Sequence, residues 1–253
     1  MVSNEPVATA TASLDELGDA SRSPAPPLSR ALLRIVAKAL VLAAVSLLLG
    51  GLTSLGQAVL PDALRPLANS ASGWTVPTAL LVWAMRERGL VSAVFGALSF
   101  ECLVIGYVVV SQLRGFDDAE TLFLVIGLVG GPIIGAAASW LHRRRGGQRR
   151  AGRGRLPAPV DAAGPGSPAV GGHHAAIGAG VLAGVLLGEA VWGFTVVFAS
   201  TGWLFWSFVA GVGVGLLVGT SIRHALGWRQ VLVALGATAA VAAALLGVYT
   251  VLS

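Results

Sequence analysis

Charge is what this chain has least of. Only 11% of its 253 residues are Asp, Glu, Lys or Arg, against 55% hydrophobic, and the mean hydropathy is +0.79. Soluble chains carry about 25% charged residues. A soluble fold of this size would have to expose almost no charge, so lipid is the expected solvent. Lysine is nearly absent: 16 of the 17 basic residues are Arg, and Lys38 is the exception. With the Ala, Gly and Val richness, that bias fits a bacterial genome of high GC content. Cysteine is down to one, Cys102, which excludes an intramolecular disulfide. Its place in an apolar run reads as that of a small buried hydrophobe. HExxH, G-x-S-x-G and C-x-x-C are missing, which removes the usual zinc-hydrolase, serine-nucleophile and dithiol chemistries. His142, His173, His174 and His224 fall in predicted loops or at helix ends, without partners at helical spacing. No metal, no cofactor and no enzymatic activity are expected. Residues 1–29 hold Glu5, Asp15, Glu16, Asp19 and the run SRSPAPPLS, with no apolar core of a signal peptide. They read as a disordered cytoplasmic tail.

What is present in abundance is long apolar runs. A spanning helix needs about 20 such residues to cross a core roughly 30 Å thick. Seven segments meet or approach that length: Ala39–Leu60, Leu67–Met85, Gly89–Ser111, Thr121–Leu141, Ala175–Ser200, Gly202–Ile222 and Val231–Leu252. The second is the weakest, since LANSASGWTVP is polar and contains Pro77. With the N-terminus in the cytoplasm, 15 basic residues fall inside and only Arg65 and Arg114 outside. That is the positive-inside asymmetry. The expected fold is therefore an all-α polytopic membrane protein of about seven helices, N-in and C-out, in a bacterial plasma membrane. Trp74, Trp203 and Trp206 lie at predicted outer ends and Trp83, Trp140 and Trp228 at inner ends, as an aromatic belt requires. Trp192 is the exception, well inside its span.

Residues 142–174 are rich in Arg, Gly and Pro and lack apolar periodicity, so they read as a cytoplasmic linker. It divides the membrane domain into helices one to four (30–141) and five to seven (175–253). The seven Arg between Arg143 and Arg155 account for the basic balance. Clustered in one loop, they suit anionic lipid and topology rather than nucleic acid. Glycines recur at four-residue spacing: Gly127, Gly131 and Gly135; Gly180, Gly184 and Gly188; Gly211, Gly215 and Gly219. Residues i and i+4 share a helix face, so each set is a smooth stripe for close helix contact. A glycine-lined conduit is the other reading. GALSFECLVIGY around Glu101 also echoes GVLLGEAVWGF around Glu189, each with Gly five residues before the Glu. A duplicated helical hairpin is one explanation, and low-complexity Gly/Ala sequence another.

Two carboxylates lie within spans, Glu101 and Glu189. An unpaired carboxylate there costs several kcal/mol, so each is either bonded to a neighbouring helix or in contact with substrate, proton or cation. Trp192 follows Glu189 by three residues on the same face, where its ring could meet an organic cation. Thr53, Ser54 and Gln57 end helix one, and Asn69, Ser70 and Ser72 begin helix two, on the same side of the membrane. These residues could line a cup opening outward, or simply cap helix two. Glu101, Glu189, Trp192, Gln57 and Asn69 are the candidate substrate-binding set. Asp117, Asp118 and Glu120 read as a solvated turn.

The stretch GLTSLGQAVLPDALRPLANSASGW (Gly51–Trp74), followed by GVLLGEAVWG, resembles a family of bacterial multi-pass membrane proteins of unknown function. The likeness covers about 38–141 and 175–250 and implies a membrane location without an activity. It makes the tail and the Arg-rich linker look like extensions beyond the family core. The architecture is also distantly similar, at fold level, to the substrate-binding subunits of energy-coupling-factor vitamin transporters. Two functions are expected to compete. One is binding or translocation of a small solute or ion through an outward-facing polar pocket. The other is a structural or regulatory subunit docking partner helices in the membrane.

Overall fold

A computed structural model describes residues 28–68, 70–116, 121–142 and 169–252. The described residues form eight α-helices and no strands. They are α1 (Leu28–Val59), α2 (Ala71–Met85), α3 (Leu90–Leu113), α4 (Thr121–Trp140), α5 (Ala169–Thr195), α6 (Phe198–Thr201), α7 (Leu204–His224) and α8 (Trp228–Leu252). Six of them, all but α2 and α6, are long and apolar enough to cross a membrane. By its contacts the chain divides into residues 1–38 and residues 39–253. Of the first unit, residues 28–38 are described, as the opening turns of α1, with Leu32 and Leu33 exposed. The second unit holds the helix bundle.

The helix ends follow local chemistry. Pro61 cannot continue α1, and the chain turns back through Leu64 N–H to Pro61 C=O at 2.8 Å. A 3₁₀ turn, Arg65–Ala68, leads into Ser70, whose extended backbone and side chain cap α2 by accepting from Gly73 N–H at 3.0 Å. At its far end α2 closes on Arg86 in the left-handed conformation, whose N–H reaches Trp83 C=O. Gly115 (φ +85°) and Gly202 (φ +70°) turn the chain after α3 and α6, where a side chain would be strained.

Several predicted boundaries move. The run Leu67–Met85 is not one helix but the 3₁₀ turn and a 15-residue α2. At 1.5 Å per residue α2 is only about 22 Å long. The polar segment Ser70–Ser72 and its cap set that late start. Helix one begins at Leu28, so Arg30, Arg34 and Lys38 are helical. Helix five begins at Ala169, which places His173 and His174 in α5 rather than in the linker. Residues 1–27, the Arg143–Arg155 cluster, Asp117, Asp118 and Glu120 lie outside the described residues.

Small residues bring the helices together. A β-carbon on Gly131 would lie 2.8 Å from Ala97 Cα, and one on Gly96 2.8 Å from Gly135 Cα, so α3 and α4 meet backbone to backbone. Ser92 Oγ seals the contact by donating to Gly135 C=O at 2.6 Å. Gly50 and Gly106 do the same for α1 and α3, with Ser46–Ser99 and Ser54–Ser111 hydroxyl pairs at 2.9 and 2.8 Å. Each such bond contributes on the order of 0.6 kcal/mol between helices in lipid. The α5 stripe packs on α8, where a β-carbon on Gly184 would meet Val241 Cβ at 2.6 Å. The α7 stripe differs, for Gly211, Gly215 and Gly219 have nothing within 4 Å of a β-carbon. The two halves of the suspected duplication are thus packed differently: Gly96 meets the helix that follows it, whereas Gly184 meets α8 and not α7.

Apolar residues populate both core and surface. Trp74, Phe100, Leu103, Val104 and Tyr107 form one buried cluster, and Leu186, Ala190, Phe205, Trp206 and Val209 another. Trp74 and Trp206 are therefore core residues, not members of an aromatic belt. Trp83, Trp203 and Trp228 are exposed, as belt residues would be. Leu48, Leu90, Val129, Ile222 and Val251 are also exposed, a surface suited to lipid.

Candidate functional site at the start of α2 and the groove beside it

The backbone at Ser70 is extended and α2 starts only at Ala71, so the first N–H groups of α2 have no intrahelical partner. Glu189 on α5 supplies one. Its side chain is 2% exposed; Oε1 accepts from Ala71 N–H at 2.5 Å and Oε2 from Ser72 N–H at 2.6 Å. Tyr249 of α8 donates its hydroxyl to Oε1 at 3.0 Å. A carboxylate on a helix N-terminus meets both the orphan donors and the positive end of the helix dipole. Irregular backbone buried among apolar helices needs partners of this kind.

The other polar residues close the same region. Gln57 donates to Ala68 C=O at 3.2 Å and accepts from the Tyr107 hydroxyl at 3.0 Å. Ser70 and Ser72 hydroxyls are 3.0 Å apart. Trp192 stacks on Tyr249 at 5.1 Å between ring centroids. Of the candidate residues, then, Glu189, Trp192 and Gln57 gather around the start of α2, and Asn69 lies outside the described residues. Glu101 does not join them. It faces α4, where a β-carbon on Gly127 would sit 2.7 Å from its Oε1, and that buried oxygen has no hydrogen-bond partner among the described residues. The sequence reading missed Tyr107 and Tyr249. They are the only two tyrosines in the chain, and both reach into this cluster.

Beside the cluster runs an open groove. One cavity of about 430 Å³ lies among α2, α4, α5 and α7, with Trp83, Gly215, Gly219, Arg223 and His224 in its wall. A second, of about 360 Å³, is lined by Thr53, Gly56, Ser72, Phe205 and others from α1, α2, α3, α5 and α7. Val76, Leu186 and Val212 line both, so the two abut. Neither Glu101 nor Glu189 lines either cavity. The bare α7 stripe is explained here: Gly215 and Gly219 form groove wall.

The first cavity ends among basic groups. His142 stacks on the Trp83 ring at 5.5 Å, and its buried Nε2 has no partner among the described residues. Burial lowers the His142 pKa below the ordinary histidine value, and the positive charges of Arg88, Arg86 and Arg223 act in the same direction against a hydrogen bond to the Trp83 backbone. His224 Nε2 is 3.3 Å from Leu141 C=O. No group of three His, Cys, Asp or Glu side chains with metal-binding geometry occurs among the described residues.

A family described only as of unknown function, DUF6518, matches residues 29–163 and 159–253. The chain belongs to that family. The matched ranges overlap at 159–163, inside the Arg-rich linker, and together cover all of 142–174, so the linker belongs to the DUF6518 match and is not an extension beyond it, while most of the tail precedes the match. Among curated proteins nothing matches the chain, and among solved structures nothing does either.

Proposed function

We propose that this DUF6518 member binds or translocates a small solute with an apolar body in the groove between α2 and α7. The observation that carries the reading is the meeting of two cavities at Val76, Leu186 and Val212, along a helix whose glycine stripe is left uncovered. The polar cluster then has a different task from the one its residues suggested. Glu189, fully engaged by three donors, holds α2 as one wall of the groove, and the solute meets Thr53 and Ser72 rather than the carboxylate. The 3₁₀ turn and α2 together complete a seventh crossing, N-in, in a bacterial plasma membrane, and the protein is not an enzyme. The positive-inside asymmetry and the missing catalytic motifs support these statements.

A helix-docking accessory role is the second reading, favoured by Gly211 on α7 and Gly236 and Gly247 on α8, where a β-carbon would meet nothing. One experiment separates the two. Gly215→Leu places a branched side chain in the groove, and Gly211→Leu places one on α7 outside the two cavities. Thermal-shift screening with small apolar and amphipathic solutes should show stabilisation of wild type and of Gly211→Leu, and none of Gly215→Leu. Equal responses in all three proteins would remove the groove reading. Loss of co-purifying membrane partners in Gly211→Leu alone would favour docking.

A further inference from the structure

We infer that the groove seats one acyl chain of an anionic phospholipid, with the headgroup held at the Arg223 end. This rests on the groove reading and names its occupant. The two cavities are lined along α7 from Phe205 to Arg223. Eighteen residues of helix rise about 27 Å, close to the full hydrocarbon thickness. The groove is therefore long. The cavities measure about 430 and 360 Å³ and are walled almost wholly by apolar side chains, as an acyl chain requires.

The charge is confined to one end. Arg223 and His224 line the first cavity, and no Asp or Glu lines either one. Arg86 and Arg88 lie close enough to act, with Arg223, on His142. Glu87 is the one carboxylate in the 86–89 turn. At the opposite end the polar lining is the neutral pair Thr53 and Ser72. A headgroup carrying its own cation would bring that cation among guanidinium groups, while a net negative headgroup meets an excess of complementary charge. Trp83, exposed at that end, offers the amphipathic ring that favours headgroup depth. A free anion would use the basic end and leave the apolar length unexplained.

The test uses the full-length protein, delipidated in a neutral maltoside detergent, and short-chain phosphatidylglycerol, phosphatidylcholine of the same chain length, and inorganic phosphate. Bound lipid is counted by native mass spectrometry, and affinity is read from thermal-shift titrations. Wild type should bind one phosphatidylglycerol about fivefold more tightly than phosphatidylcholine, the preference that one arginine near a headgroup provides. Arg223→Gln should bind both lipids equally, at the phosphatidylcholine level. Gly215→Leu should lose both lipids. Val212→Phe, at the waist where the cavities meet, should do the same and guards against misfolding of the glycine variant. Equal binding of the two lipids to wild type would overturn the headgroup assignment and leave the groove reading standing. Competition by inorganic phosphate at the same affinity would overturn the lipid in favour of a free anion. Lipid binding undiminished in both groove-filling variants would overturn the groove reading itself.

Discussion

Glu189 accepts from two main-chain N–H groups and a tyrosine hydroxyl, and a glutamine in its place cannot do the same. Its amide nitrogen would face the Ala71 or Ser72 N–H, donor against donor. Leaving such a buried group unsatisfied costs about 2–3 kcal/mol. Glu189→Gln should therefore lower stability by about that amount, and Tyr249→Phe, which keeps the ring against Trp192, by about 1 kcal/mol. Glu101→Gln should change stability by less than about 0.5 kcal/mol, because it breaks no bond found among the described residues. Thermal unfolding in detergent micelles checks all three, and a Glu189→Gln protein melting like wild type would mean the cap does not hold α2. The two carboxylates look equivalent in the sequence, each in an apolar run with glycine five residues earlier. What separates them comes from far along the chain: Ala71 and Ser72 lie 118 and 117 residues from Glu189, and Tyr249 lies 60 residues away. Local pattern has no access to contacts of that range. It could mark Glu189 as a residue needing a partner and could not say which.

The three glycine stripes pose the same problem among helices. Their spacing is identical, and the inference that each forms a smooth face holds for all three. The partner of each face is another matter. The α4 stripe meets α3, the α5 stripe meets α8, and the α7 stripe opens on the groove at Gly215 and Gly219. A face is encoded by i and i+4 spacing, but what covers it depends on how neighbouring helices cross. Reading every stripe as a contact therefore mislabels the one next to the short α2. Gly131→Leu would drive a side chain into the Ala97 backbone. It should cost about 3 kcal/mol or prevent assembly. Gly215→Leu meets no atom within 4 Å of its β-carbon and gains helix propensity, so its melting temperature should be at or above that of wild type. Size-exclusion profiles and melting curves of the two proteins check the contrast, and equal damage in both would show the α7 face to be covered.

For the whole molecule, the number of crossings turns on α2. Six helices are long and apolar enough to span, and hydropathy reads them from the sequence without help. The case for a seventh rests on charge alone, because a 15-residue helix behind a polar turn falls short of the length rule while a crossing there is what keeps the basic loops on one side. Three exposed positions turn that argument into a code. With seven crossings, N-in, Leu64 and Phe116 face outward and Gly227 faces the cytoplasm. If α2 does not cross, Leu64 stays outside, but every later loop changes side, so Phe116 becomes internal and Gly227 external. If seven crossings run the other way, all three positions reverse. Cys102 is buried and replaceable by Ser, which gives a cysteine-free background. Leu64→Cys, Phe116→Cys and Gly227→Cys then report one at a time. Gly227 has a conformation open to a side chain, with Gln230 Oε1 no nearer than 3.9 Å to a β-carbon. In intact cells a membrane-impermeant maleimide should label 64 and 116 and should reach 227 only after permeabilisation. Labelling at 64 and 227 with 116 protected would reduce the count to six. The groove would then lose α2 as a transmembrane wall, because a helix that does not cross cannot line a path from Phe205 to Arg223.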